Sequence, residues 1–160
     1  MAEREGTPHG AAVPDGYVQA THGGPFAAEL GPFHVLRGER EVRLGLRVRR
    51  RHCNSAGQAH GGLVASLADL GLIHAVGVMR ERAGERRAPM ATVSLSVDYL
   101  GPAPEGCWLE LRAEVTRLGR SLAFVEGALF ADAERVGRAS GVFRIARPRP
   151  APPDGEAAPG

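Results

Sequence analysis

Leu63-Val64-Ala65-Ser66-Leu67-Ala68-Asp69-Leu70-Gly71-Leu72-Ile73-His74-Ala75-Val76-Gly77-Val78-Met79 is apolar on almost every side. That composition predicts a helix enclosed by the rest of its domain rather than one with a broad wet face. The segment approaches membrane-spanning length, but Ser66, Asp69 and His74 interrupt it, and a charge near the centre of a bilayer is costly. The expectation is therefore a core helix with no membrane role. Immediately before it, residues 54–62 read Asn-Ser-Ala-Gly-Gln-Ala-His-Gly-Gly. Glycines at a helix start let a ligand approach the free backbone N–H groups, where those donors and the helix dipole favour developing negative charge.

Around this helix the pattern changes to strands. From Glu41, Val42, Leu44, Leu46 and Val48 alternate with Arg43, Arg47 and Arg49, the signature of a half-buried strand. Residues 91–99 place Val93, Leu95, Val97 and Tyr99 on one side and Thr92, Ser94, Ser96 and Asp98 on the other, then stop at Gly101-Pro102. Three more strands are expected at 107–116, 121–131 and 136–145, joined by links short enough for hairpins. One long apolar helix with a strand before it and four hairpin-connected strands after it is buried only if the sheet curls around it. The fold class is thus α+β: one antiparallel curved sheet wrapped around one central helix. Residues 25–30 form at most a helical turn, closed by Gly31-Pro32.

A chain of 160 residues is one domain by the usual size relation. Residues 1–24 and 148–160 are rich in Gly, Pro and Ala without periodicity, which predicts a flexible N-terminal tail and a disordered C-terminal one around a domain at 25–147. Twenty basic residues, all Arg, against 18 acidic ones give a net charge of +2, far from the field of a nucleic-acid-binding domain. Cys53 and Cys107 lack metal-site or disulfide spacing, and no apolar leader opens the chain. A cytoplasmic protein with free thiols is expected. No two of the six histidines stand four apart, so no metal site is expected.

The pattern N-x2-G-x2-H-G-G-x6-D, formed by Asn54, Gly57, His60, Gly61, Gly62 and Asp69, resembles the signature of the PaaI-type acyl-CoA thioesterases of the hotdog superfamily. The resemblance covers roughly residues 33–147. It implies a hotdog fold whose subunits pair edge to edge, as a homodimer or a dimer of dimers, with each active site borrowing residues from two chains. It also implies hydrolysis of an acyl-CoA, aryl or medium-chain, to free acid and coenzyme A, without metal or redox cofactor. Asp69 matches the family's catalytic acid, and Asn54 and the Gly61 N–H match its donors to the thioester oxygen. His60 matches its loop histidine and Thr92 a hydroxyl that orients water. Gly62 and Ile73 fall on the substrate path. Arg117, Gly119, Arg120 and Ser121 resemble the hairpin that meets the nucleotide end of coenzyme A.

Read from the residues alone, each position keeps an alternative. A mid-helix carboxylate is expensive unless paired, so Asp69 is either a base or nucleophile or the partner of an Arg or a neighbouring loop. Gly61 and Gly62 serve tight packing or backbone access. Asn54 is a donor or a turn former. His60 is structural or catalytic, Thr92 faces a site or a polar surface, and 117–121 is a phosphate anchor or an ordinary charged hairpin. Leu63, Leu67, Leu70 and Ile73 are expected to line the acyl pocket. His52 and His74 read as structural, the Arg47 and 49–51 cluster as solvated, and Cys53 as a poor nucleophile because His52, its neighbour, points the other way. Two rival functions remain: a non-catalytic acyl-CoA-binding protein, and a hotdog dehydratase or hydratase, whose motifs are absent.

Overall fold

The computed structural model of the chain describes residues 12–21 and 23–146. In chain order it comprises β1 (Val18–Gln19), α1 (Gly24–Leu30), β2 (His34–Arg37), β3 (Val42–Arg47), a 3-10 turn (Arg50–His52), α2 (Gly61–Arg82), β4 (Met90–Tyr99), β5 (Trp108–Leu118), β6 (Leu122–Ala131) and β7 (Glu134–Ile145). The strands form a single antiparallel sheet in the order β1-β2-β3-β5-β6-β7-β4. The strand that follows the helix in sequence thus lies at the far edge, and its ten residues are mostly exposed.

Packing of α2 on the sheet makes the core. Leu67, Ala68, Leu72 and Val76 of the helix and Leu109, Leu111, Ala113, Leu129 and Phe143 of the sheet have no accessible surface. Closest approach falls at Gly71, where an added Cβ would lie 2.6 Å from Leu111 Cδ2 and 3.4 Å from the Leu44 Cβ. The expectation of a fully enclosed helix is corrected within one chain. Ala65, Ser66, Asp69, Leu70, Ile73, His74 and Gly77 are only half-buried, so the apolar composition of the second face serves something other than the sheet of its own chain.

β1 and β2 were not foreseen: two and four residues are too few to display a period. Part of the expected N-terminal tail is tied down. Val18 and Gln19 pair with Val35 and His34, and the Tyr17 hydroxyl donates to the Glu110 carboxylate on the outer face of the sheet. Tyr17 also meets Trp108 edge to face, with centroids 5.2 Å apart, and Arg47 donates to the Ala12 carbonyl at 3.0 Å. Burial works against the charge of Glu110, but hydrogen bonds from Tyr17, Arg112 and Trp108 outweigh it and hold the carboxyl below its ordinary range. Residues 1–11 and the whole of the expected C-terminal tail lie outside the described residues.

Overpacking the contact at Gly71 tests this arrangement. Gly71→Val is expected to lower stability by about 1–3 kcal/mol. Gly77→Ala, where a Cβ meets nothing within 4 Å, should leave stability unchanged or slightly raised through helix propensity. Chemical denaturation of the two variants checks the contrast, and equal effects would contradict it.

Candidate active site

The stretch between β3 and α2 is a closed turn. The Asn54 N–H donates to the Gln58 carbonyl at 2.8 Å and the Gly57 N–H to the Asn54 carbonyl at 3.1 Å, with Gly57 in the left-handed region at φ 72°. Asn54 Oδ1 accepts from the amides of Ala56 at 2.9 Å and Gln58 at 3.2 Å. The turn-forming and donor readings of Asn54 therefore combine: with its oxygen held by the turn, the exposed side chain presents the hydrogens of Nδ2 outward. The turn is anchored by the Ala59 N–H on the Ala103 carbonyl at 2.7 Å and the His60 N–H on the His52 carbonyl at 2.8 Å.

His60 is the N-cap of α2, and its Nδ1 accepts from the Gly62 amide at 3.0 Å. It thus acts as an acceptor toward the first turn of the helix. A Cβ on Gly62 would crowd that cap at 3.0 Å. Leu63 donates to the His60 carbonyl, and among the described residues the Gly61 N–H meets no acceptor. A Cβ at Gly61 would make only ordinary contacts of 3.6–3.7 Å with Tyr99. Its own chain does not require glycine there, so the bare backbone at Gly61 favours an approach from outside. The Tyr99 hydroxyl donates to the Gly61 carbonyl at 3.0 Å, holding the Gly61–Gly62 peptide next to the Gly61 N–H. Nothing in the sequence signals this tyrosine as part of the loop, because it arrives from the far end of β4.

Two turns along α2, Asp69 Oδ1 accepts a 2.7 Å hydrogen bond from Thr92 Oγ1. Strict alternation along 91–99 puts Thr92 on the side away from Leu95 and Val97, and the structure differs for a definite reason. The pairing of β4 with β7 shifts register between Thr92 and Ser94. One bulged residue, Val93, is left 61% exposed, and the alternation reverses there, turning Thr92 toward the helix. Asp69, Leu70, Ile73, His74 and Gly77 line a cleft of about 940 Å³ with Phe33 and Met90 opposite. Of the four residues expected to line an acyl pocket, Leu70 and Ile73 line this cleft. Leu63 and Leu67 do not; both are buried in the core.

Within one chain these groups stand apart in two places. Eight residues of helix hold Gly61 and Asp69 roughly 12 Å apart along the axis. Sheet register puts the hairpin 119–121 at the Asp69 end: Thr92 pairs with Phe143, Phe143 with Ala123 and Ala123 with Leu118. Arg117 and Arg120 are exposed there, without a hydrogen-bonding partner among the described residues. Three of the arginines beside the loop are engaged: Arg47 with the Gly106 carbonyl at 3.1 Å, Arg51 with the Gly31 carbonyl, and Arg50 with Glu105 at 3.8 Å. His52 is buried, and its Nδ1 accepts from the Arg49 amide at 3.0 Å. The Cys53 thiol is pushed up by burial and by Glu105, which disfavours a thiolate. Among the described residues no three of His, Cys, Asp and Glu converge as metal ligands would.

The sequence profile of the thioesterase superfamily matches residues 56–138, a span that includes the loop from Ala56 onward, the helix and β4 to β6. The chain belongs to this superfamily. It is 39% identical over 134 residues to the "Putative esterase PA0474" of Pseudomonas aeruginosa, covering 83% of this chain and 97% of that one. To the acyl-coenzyme A thioesterase 13 of Mus musculus it is 33% identical over 79 residues, 49% of this chain and 53% of that one. A structure of the phenylacetic acid degradation protein PaaI from Thermus thermophilus, a mutant, superposes with a TM-score of 0.61 at 27% identity, covering 75% of this chain and 97% of that one. The curled sheet around α2 is the hotdog fold.

In this hotdog protein the cap role of His60 is separable from chemistry. His60→Ala is expected to cost roughly 0.5–2 kcal/mol of stability by removing the cap, whereas His60→Asn, which also accepts from the helix start, should stay close to wild type. Thermal unfolding of both variants checks this. Equal melting of the alanine variant and wild type would show that the Nδ1 contact carries no weight.

Proposed function

We propose that this chain hydrolyses acyl-coenzyme A thioesters, of aryl or medium-chain acyl groups, to the free acid and coenzyme A at a site shared by two copies. The observation that carries the reading is the Asp69 carboxylate, half-buried beside Leu70 and Ile73 in a cleft and fixed by Thr92 at 2.7 Å. A pocket built only to bind an acyl chain has no use for a held carboxylate, which counts against a non-catalytic binding protein. The dehydratase or hydratase alternative lacks its motifs in this sequence.

The exposed edge of β4 supports the shared site. Unpaired edges are pairing liabilities, and Val93, Tyr99 and Leu100 are each 55–62% exposed there. In a two-fold antiparallel pairing of β4 with a second copy, the Thr92 end of one strand meets the Tyr99 end of the other. Asp69 and Thr92 of one chain would then face Asn54 and Gly61 of its partner, closing the separation that the helix imposes. The Gly61 N–H and Asn54 Nδ2 would take the thioester oxygen as negative charge develops on it. Asp69 either takes the proton of a water held by Thr92 or attacks the carbonyl carbon itself. In both routes the C–S bond breaks, the thiolate leaves as coenzyme A, and water supplies the acid oxygen, so no metal or redox cofactor is required. Arg117 and Arg120 of the exposed hairpin would meet the phosphates of the nucleotide end.

Thiol release from a panel of acyl-coenzyme A substrates tests the reading. Asp69→Asn keeps the shape of the side chain and should fold and assemble normally while losing on the order of 10²–10⁴ in kcat/KM. Turnover at the wild-type rate in the pure variant would refute the role of Asp69.

A further inference from the structure

We infer that the cleft beside Asp69 is a measuring groove for a linear acyl chain and that Gly77 sets its depth, which selects medium-chain over short-chain acyl groups. The inference rests on the proposal that the thioester carbonyl sits at Asp69. From that point the helix wall of the cleft is Leu70, Ile73 and His74, with Phe33 and Met90 also lining it. Gly77 follows two turns beyond Asp69. The two interior glycines of α2 contrast sharply. At Gly71 a Cβ would strike Leu111 at 2.6 Å, so packing against the sheet demands glycine; at Gly77 a Cβ meets nothing within 4 Å. The empty space at Gly77 belongs to the cleft, and a helix gains no stability from glycine at such a position.

Just past Gly77 the apolar lining ends in paired charges. Arg80 bonds Glu85 at 2.6 Å and Arg37 bonds Glu81 at 3.1 Å, and all four residues line the same cleft. The wall between Asp69 and Gly77, apolar except at His74, therefore runs roughly 12 Å along the helix, the span of an extended chain of about ten carbons. A shorter acyl group leaves apolar wall uncovered. A longer one lays methylenes against ion pairs and gains nothing further.

Titration of the full-length protein with ketone thioether analogues of acyl-coenzyme A, in which a methylene separates sulfur from the carbonyl, tests the groove apart from catalysis. With acetyl, hexanoyl, decanoyl and tetradecanoyl analogues, affinity should rise by roughly threefold to fourfold per added methylene up to decanoyl and then level off. Gly77→Phe should leave the acetyl analogue unaffected and weaken the decanoyl analogue on the order of tenfold or more. Gly77→Leu should act in the same direction more weakly. Affinity independent of chain length, or equal weakening of all analogues in the Phe and Leu variants, would overturn the groove. Chain-length-dependent binding without thiol release from the matching thioesters would instead contradict the hydrolase reading and leave the groove standing.

Discussion

The hydrogen-bond ladder of α2 holds Gly61 and Asp69 at a fixed separation of roughly 12 Å along one axis, and the rest of the structure is arranged around that separation. The Gly61 end carries a backbone donor with no acceptor among the described residues, capped and clamped by His60 and Tyr99. The Asp69 end carries the carboxylate, its Thr92 partner and the cleft. A reacting carbonyl needs donor and carboxylate within about 3–3.5 Å, which no bending of one helix supplies. The uncovered edge of β4, running between the two ends, is the element through which a second copy brings them together in the function we propose.

Much of the fold was legible because its main elements are long enough to display a period. The apolar run of α2, the alternation in β3 and β4 and the short links between β5, β6 and β7 pointed to a curled antiparallel sheet around one helix; β4, expected to be hairpin-connected to β5, instead pairs with β7 at the edge of the sheet. β1 and β2 escaped because so few residues show no repeat. The tie between residues 12–21 and the sheet escaped for another reason. It rests on the contact of Tyr17 with Glu110 and Trp108, more than ninety positions away, and no local pattern encodes it.

In the candidate site, the loop residues were singled out by a spacing that resembles the family signature, since a glycine pair at a helix start, read alone, fits tight packing as well as backbone access. Geometry added what spacing could not. Asn54 is a turn former and retains its donor, because its carbonyl oxygen and amide nitrogen do different work. Thr92 reaches Asp69 only through the bulge at Val93, and a strict two-residue alternation has no means of registering an extra residue. The cleft-facing side of α2 was read only in part: Leu70 and Ile73 line the cleft as expected, whereas Leu63 and Leu67 are buried in the core. A helix apolar on nearly all sides carries no amphipathic signal to tell these faces apart.

Subunit complementation tests the shared site most directly. Asn54→Ala, lacking a donor worth on the order of 10²–10³ in rate, and Asp69→Asn are each expected to be inactive alone. After verified subunit exchange, half of the dimers in an equal mixture contain one chain of each kind, and each of these has one intact site. The account predicts thiol release recovering to about one quarter of the wild-type rate. Activity that stays at the level of the separate variants after exchange would contradict a site built from two chains.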